Sequence, residues 1–146
     1  MKKHTLLALT AFAVLGCSGD DDNNNVSLTG TWKLTTATLP VAVDFNNDGT
    51  ASTNFMAETG CLNNSTIIFT DDVASAIVNM EAVDIEQRDN GTFSVECLGI
   101  ETGYAPFTES GNIVTLTSDD FRAPFTKVGN KLTTSMDGAV LVFTKQ

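Results

Sequence analysis

Apolar and polar side chains alternate along most of the chain that follows residue 27. In the first such stretch, Leu28, Trp32 and Leu34 fall on one side of an extended strand, and threonine and lysine residues lie between them. The same period of two returns at Phe93 and Val95 and again over residues 121–126. This period indicates β-strands that bury one face and expose the other. We therefore predict strands throughout this part of the chain.

Turn-forming residues separate the alternating stretches. Residues 41–45, which follow Pro40, predict a second short strand, and residues 51–57 suit either a strand or one helical turn. Residues 73–86 favour a strand with a bulge near Glu81, although part of that run would also suit a helix face. Short strands joined by turns are typical of an antiparallel barrel or sandwich. The pairs that favour tight hairpin turns are Asp48-Gly49, Asn90-Gly91, Gly129-Asn130 and Asp137-Gly138.

The strands must direct one face inward, and the alternation predicts which residues form it. The last strand leaves two choices open, because either of its faces is apolar. The predicted inward residues are Trp32, Leu34, Phe93, Val95, Phe121 and Phe125, with either Leu141 and Phe143 or Val140 and Val142.

Residues 1–16 have the three parts of an export signal. Lys2 and Lys3 give a positive start, an apolar run follows to residue 14, and Gly16 precedes Cys17. The apolar run falls short of the roughly 20 residues of a spanning helix. The sequence ending at Gly16-Cys17 resembles the lipobox of bacterial lipoproteins. That resemblance implies that Cys17 becomes a lipidated N-terminus, whose two or more acyl chains anchor the protein to a membrane. The alternative is a plain secretory peptide.

Residues 17–27 predict a linker between this anchor and the folded domain of residues 28–146. Residues 18–25 contain aspartate, asparagine, serine and glycine and no apolar side chain. Such a segment cannot pack, so we expect a flexible leash. An acidic run after the lipidated cysteine also resembles the export tag of Bacteroidota surface lipoproteins. We therefore predict a lipoprotein of the cell envelope and outer membrane, and leave open whether it faces the periplasm or the cell surface.

The charge and the histidine count exclude several classes of function. The chain carries a formal net charge of −10, which becomes more negative by two when Lys2 and Lys3 leave with the signal. An acidic surface argues against nucleic acid or anionic lipid as a partner. The chain's single histidine, His4, is also lost. Catalytic Ser-His-Asp or Cys-His groups and histidine-bearing zinc sites are therefore excluded, and no pair of carboxylates stands out as a glycosidase pair.

Cys61 and Cys97 are the two thiols left once Cys17 is lipidated. In an oxidising compartment such a pair predicts a disulfide, which would add about 3–4 kcal/mol in the chain-entropy model. The alternation places Cys97 on the inward face. The alternative is two reduced, buried thiols.

The stretch around Asp44, Asn46 and Asp48 has the spacing that opens a calcium-binding loop. These side chains offer oxygen atoms at positions 1, 3 and 5, and Gly49 permits the sharp turn at position 6. Position 12, where a bidentate acid is expected, is Phe55. The alternative is a hairpin turn capped by aspartate and asparagine side chains. No other cofactor is predicted.

The motif Gly30-Thr31-Trp32 resembles the Gly-x-Trp start of lipocalins. Residues 28–145, including residues 43–49, are similar to lipocalin-like domains of Bacteroidota lipoproteins. Many lipocalins stack an arginine on this tryptophan, and Lys145 stands at that place here. The resemblance implies an antiparallel barrel of about eight strands, with Trp32 closing one end. Because large aromatic side chains inside a barrel of this size leave little room, any cavity should be modest and open at the other end.

The predicted function is non-enzymatic binding by a membrane-anchored domain. The leading hypothesis is a small apolar or amphipathic ligand in the mouth of the barrel. The second is a filled barrel that acts as a structural or protein-interaction domain in the envelope. The third is a small enzyme that uses carboxylates. A barrel of about eight strands can be either filled or hollow, so the volume of its interior separates the first two hypotheses.

Overall fold

The computed structural model describes residues 26–119 and 121–146 of the chain. The predicted signal peptide (1–16), the predicted lipidation site Cys17 and the first nine residues of the linker predicted over 17–27 lie outside the described residues.

Antiparallel strands make up nearly all of the regular secondary structure in the described chain. A single short helix, α1, follows the second strand, and no helix in these residues is both long and apolar enough to cross a membrane. The elements, in chain order, are β1 (Gly30–Val43), β2 (Ser52–Asn54), α1 (Phe55–Thr59), β3 (Thr66–Phe69), β4 (Ser75–Gln87), β5 (Phe93–Ser110), β6 (Ile113–Thr117), β7 (Arg122–Val128), β8 (Lys131–Met136) and β9 (Ala139–Lys145).

Eight of these strands form a closed barrel. From β3 onward each strand pairs antiparallel with the next one in the chain, and β1 lies between β3 and β9. The contact that closes the barrel pairs Trp32 with Lys145 and Leu34 with Phe143. Neighbouring strands therefore run up and down in sequence order, which is the arrangement of lipocalin-type barrels. The prediction of an all-β, antiparallel lipocalin-like barrel of about eight strands is confirmed.

The core is the interior of this barrel. Trp32 and Phe125, both predicted to face inward, are buried there. On β9, Phe143 is buried whereas Val140 is exposed, so the inward face is the one that carries residues 141 and 143. The buried core consists of Leu28, Trp32, Leu34, Ile67, Phe69, Ala76, Ala105, Val114, Leu116, Ala123, Phe125, Leu132 and Phe143.

β1 is longer than the sequence predicted. Residues 41–45 were expected to form a separate strand after Pro40, but β1 continues through Pro40 to Val43. The strand does not end where β9 does. Its pairing with β9 extends to Thr38, and its pairing with β2 continues from Thr38 to Val43. Pro40 lies where β1 has left β9, so its missing N–H removes no bond between these two strands.

Residues 51–57 combine both of the predicted alternatives. They contain the three-residue strand β2 and the start of helix α1. The Asn54 side chain accepts a hydrogen bond from the Ala57 N–H at 3.1 Å and caps the helix N-terminus. Gly60, with a φ of 71°, ends the helix in the left-handed conformation that glycine adopts without strain.

β4 and β5 form a ribbon that extends past the rest of the barrel. They pair from Ser75–Pro106 at one end to Gln87–Phe93 at the other. The register shifts between Ala82 and Val83, close to the bulge predicted near Glu81. The extra residue lies in β5, where Ala82 pairs with Gly99 and Val83 with Cys97.

Candidate ligand-binding cavity

The two ends of the barrel differ. β1 begins and β9 ends beside Trp32, and we call this the Trp32 end. At the opposite end β6 and β8 finish and β7 begins. We call this the open end, since Phe121 and Met136 are exposed there.

Trp32 closes its end through contacts that the Gly-x-Trp motif makes possible. Its indole N–H donates to the Leu28 carbonyl at 2.7 Å, and its side chain is completely buried. The Lys145 ammonium lies 5.8 Å from the centre of the indole ring, within the range of a cation–π interaction. Gly30 has a φ of 122°, and a Cβ there would lie 3.3 Å from Lys145 Cε. Glycine at this position therefore provides both the backbone conformation and the space for the lysine.

Aromatic side chains fill the barrel around Trp32. The rings of Phe69 and Phe107 meet edge to face at 5.0 Å between centroids. Farther along the interior, Phe125 and Phe143 meet in the same way at 6.0 Å. Such pairs add about 0.5–1.5 kcal/mol beyond their burial. These ring contacts pack the interior of the barrel next to Trp32.

The interior nearer the open end contains a cavity of about 220 Å³. Thr134 is the polar residue of its lining, and its hydroxyl already donates to the Pro124 carbonyl at 2.7 Å. The cavity therefore presents a ligand with apolar surface and no charge. Its lining consists of Ile67, Val78, Met80, Leu116, Phe121, Ala123, Phe125, Thr134, Met136, Leu141 and Phe143.

Phe121 was predicted to lie in the barrel core, but it lies at the mouth of this cavity. Its side chain is 42% exposed, and Met136 at the end of the neighbouring strand β8 is 50% exposed. The alternation predicted for this strand still holds, because Ala123 and Phe125, which face the same side as Phe121, are buried. Phe121 precedes Arg122, the first residue of β7, so it lies just beyond the end of the barrel wall.

The α1 segment covers another part of the open end, and we call residues 45–62 the lid. Phe45 packs edge to face against Phe55 at 5.6 Å and against Phe93 at 5.0 Å. Met56 and Leu62 of the lid pack against the buried core. Phe93 was predicted to lie in the barrel core, but it is half-buried in this lid cluster instead. The β4–β5 ribbon carries Phe93 past the barrel, and the extra residue in β5 before Gly99 turns Phe93 to the face opposite that of Ala105.

The predicted disulfide is confirmed and attaches the lid to the ribbon. Cys61 is completely buried, and its Cα lies 5.6 Å from that of Cys97, within the usual range for a disulfide. Cys97 was expected on the inward face of the barrel, yet it is exposed. Like Phe93, it lies on the part of β5 that faces the lid.

Asn47 attaches the lid to the ribbon a second time. Its side-chain oxygen accepts from the Phe93 N–H at 2.8 Å, and its side-chain nitrogen donates to the Phe93 carbonyl at 2.8 Å. The residue adopts a φ of 59°, a conformation that asparagine tolerates better than most residues. One side-chain amide thus bonds both polar groups of a strand residue, as a neighbouring strand would.

The predicted calcium ligands are engaged in a turn. Both carboxylate oxygens of Asp44 accept backbone N–H groups, from Asp48 at 3.0 Å and from Gly49 at 2.9 Å. Asn46 accepts from Asp48, and Asp48 accepts from Thr50. These bonds match the alternative of a capped hairpin turn. Among the described residues, no group of three or more acidic, cysteine or histidine side chains is placed to hold a metal ion.

Calcium titration tests the remaining prediction at Asp44, Asn46 and Asp48. If the turn alone explains these residues, millimolar calcium will give no heat in calorimetry and no shift in melting temperature. A saturable heat that disappears in Asp44→Asn would show instead that the oxygens bind the ion.

A larger and more open hollow of about 530 Å³ lies at the Trp32 end. Its wall contains Asp71, Asp72 and the ion pair between Lys127 and Glu109, whose atoms lie 2.6 Å apart. Charged side chains and a wide opening make it a surface depression in contact with water. The smaller cavity is the better candidate site, because its lining is apolar and carries no charged side chain.

No protein-family model matches the chain, and no curated protein matches it. Two solved structures are similar to it. One is a lipocalin-like protein from Bacteroides uniformis, with 13% sequence identity and a TM-score of 0.43, and the match covers 82% of this chain and 98% of that one. The other is an uncharacterized protein from Bacteroides eggerthii, with 12% identity and a TM-score of 0.43, and the match covers 82% and 100%.

Proposed function

We propose that the protein is a non-enzymatic binding domain for a small apolar molecule, or for the apolar part of an amphipathic one. The observation that carries the proposal is the cavity at the open end, whose lining has no charged side chain and no unbonded hydroxyl. Met136 and Phe121 at its mouth leave a path for a ligand to enter.

The volume of the cavity limits the size of the ligand. An engineered apolar cavity of about 150 Å³ stays dry and binds benzene, whereas sites for drug-sized molecules measure about 300–1,000 Å³. A cavity of about 220 Å³ therefore suits a bicyclic aromatic molecule or a short alkyl chain. A longer amphipathic ligand would leave its polar part in water at the mouth.

Naphthalene is a suitable probe for this site. We expect saturable binding to the full chain in a fluorescence titration, and at least a tenfold loss of affinity in Ala123→Leu. Ala123 is buried and lines the cavity, so the larger side chain would occupy the volume that the probe needs.

The matched control is Ala51→Leu, the same change at an exposed residue outside the cavity. It should bind naphthalene as the unaltered protein does. Equal affinity in both variants would place the probe elsewhere. A folded wild-type protein that does not bind would favour the alternative of a filled, protein-interaction barrel.

We also propose that the domain is attached to the outer membrane through Cys17. The proposal is supported by residues 1–16, which have the three parts of an export signal and lead directly into Cys17. In cells that export the protein, the wild type should fractionate with membranes and Cys17→Ala should appear in the soluble fraction. A Cys17→Ala protein that still sediments with membranes would contradict a lipid anchor at this residue.

A further inference from the structure

One edge of β5 has no neighbouring strand in the described part of the chain. β5 pairs with β4 from Phe93 to Pro106, but its pairing with β6 on the other side covers only the last four residues, Phe107 to Ser110. Over residues 93–106 the second edge is therefore open. The polar backbone groups of an open edge can pair with another chain.

Hydrogen bonds near the bulge show which residues direct their backbone groups to this edge. The Glu81 N–H donates to Ser65 Oγ at 3.1 Å, on the β3 side of β4. Glu81 and its partner Ile100 therefore form a non-hydrogen-bonded pair, and the Ile100 N–H and carbonyl point away from β4. By alternation, the same holds for Thr102 and Tyr104.

The chain limits this edge on both sides. At one end, Pro106 is the next residue after Tyr104 whose backbone faces this edge, and it has no N–H to donate. At the other end, Gly99 with a φ of 103° forms the bulge before Ile100. Prolines and bulges are the devices that protect open edges. They leave residues 100–104 as a short segment that can accept one extended strand.

The lid already fills one position of the same edge. Phe93 points its N–H and carbonyl away from β4, and the Asn47 amide bonds both of them. The edge thus binds an amide group within this molecule at Phe93. Residues 100–104 offer the same kind of groups with no such partner among the described residues.

The surface beside this segment is apolar and acidic. Tyr104 is 72% exposed and Ile100 is 45% exposed. Two hollows of about 250 Å³ and 360 Å³ border Tyr104. Glu101 and Asp119 are the charged residues that line them, and no lysine or arginine does so.

We propose that the edge over residues 100–104 binds an extended peptide segment of a partner protein, in which basic and apolar side chains alternate. The backbone of the segment would add a strand to β5. Its apolar side chains would cover Ile100 and Tyr104, and its basic side chains would meet Glu101 and Asp119.

A second copy of β5 is a poorer occupant. Between residues 93 and 110, β5 contains Glu96, Glu101 and Glu109 and no lysine or arginine. Pairing two such strands would bring carboxylates into a groove already lined by carboxylates, and like charges across paired strands are destabilising.

The test uses the full chain and the synthetic peptide acetyl-Lys-Val-Lys-Val-Lys-Val-amide. We expect saturable binding in calorimetry with a Kd of about 1 mM or tighter. A peptide N-methylated at each valine lacks the N–H groups that would bond the open edge of β5, and it should bind at least tenfold more weakly. A peptide with glutamate in place of lysine should lose affinity to a similar degree.

Glu101→Gln should weaken binding of the lysine peptide by a factor of about 2–5. Glu86→Gln is the matched control, since it removes the same charge from an exposed position on β4, and it should leave the affinity unchanged. Equal binding of the N-methylated peptide, or no binding at 5 mM, would overturn the proposal. A free protein that is already dimeric and cannot bind the peptide would assign the edge to a second copy, which also overturns it.

Discussion

Replacing Trp32 with alanine is expected to lower the free energy of unfolding by about 3–5 kcal/mol. The side chain is completely buried at the closed end of the barrel, so its removal leaves a void that the neighbouring strands cannot fill. The change also leaves the Leu28 carbonyl without its 2.7 Å hydrogen bond and Lys145 without its aromatic partner.

Chemical denaturation followed by far-ultraviolet circular dichroism measures this loss, because Trp32 is the chain's one tryptophan and its fluorescence disappears in the variant. Trp32→Phe keeps an aromatic ring and should lose less stability. Tyr104→Ala removes an exposed aromatic residue and should change stability by no more than about 0.5 kcal/mol. A Trp32→Ala protein as stable as the wild type would contradict the role of this residue in closing the barrel.

Removing the disulfide is the second change with a large expected effect. The Cys61→Ala, Cys97→Ala double variant should lose about 3–4 kcal/mol of stability, because the bridge restricts the unfolded chain between residues 36 positions apart. We expect the loss to fall unevenly over the molecule. The lid and the outer part of the β4–β5 ribbon are held together by this bridge and a few side chains, whereas the barrel closes without it.

Hydrogen exchange distinguishes this local effect from a global one. In the double variant, amides of residues 45–62 and 84–97 should exchange faster than those of β7 to β9 under native conditions. The Asn47→Ala variant, which removes the other attachment of the lid, should accelerate exchange in the same segments to a smaller extent. Uniform acceleration over all strands would show that the bridge supports the whole barrel and not the lid alone.

The fold follows closely from the alternation of apolar and polar residues. Trp32, Ala123 and Phe125 are buried because each lies on the apolar face of a strand that the pattern predicts. The turn pairs at residues 137–138 and 90–91 separate strands that pair with each other. A period of two predicts the inward face of most strands but fits a sandwich as well as a barrel, and the barrel was implied by the resemblance of Gly30-Thr31-Trp32 to the lipocalin motif.

The errors at Phe93 and Phe121 have different physical causes. Alternation shows which side of a strand a residue faces, but not where the neighbouring strand stops. Phe121 lies one residue before β7, and Phe93 lies on a ribbon that continues past its neighbours. Phe121 faces the predicted side, beyond the end of the wall. In β5 the extra residue between Cys97 and Gly99 turns Phe93 to the face opposite that of the buried Ala105.

The cavity and the lid attachments depend on contacts between distant parts of the chain. The cavity is the volume left between side chains of β3, β4 and β6 to β9, and no local sequence pattern shows how much volume such side chains leave unfilled. Asn47 bonds Phe93 across 46 residues, which a turn motif at residues 46–49 does not reveal. Met80 and Met136 line the cavity, and their polarizable, unbranched side chains, which adapt to irregular spaces, are the one sequence signal that could have indicated it.

Methyl NMR of protein labelled at methionine gives the most direct test of binding inside the barrel. Met80 and Met136 line the cavity, whereas Met56 lies in the lid and packs against the core from outside the cavity lining. On titration with naphthalene, the methyl signals of Met80 and Met136 should shift together and saturate, and that of Met56 should stay in place. Unchanged signals for Met80 and Met136, in a sample where naphthalene binds, would contradict a ligand site in this cavity.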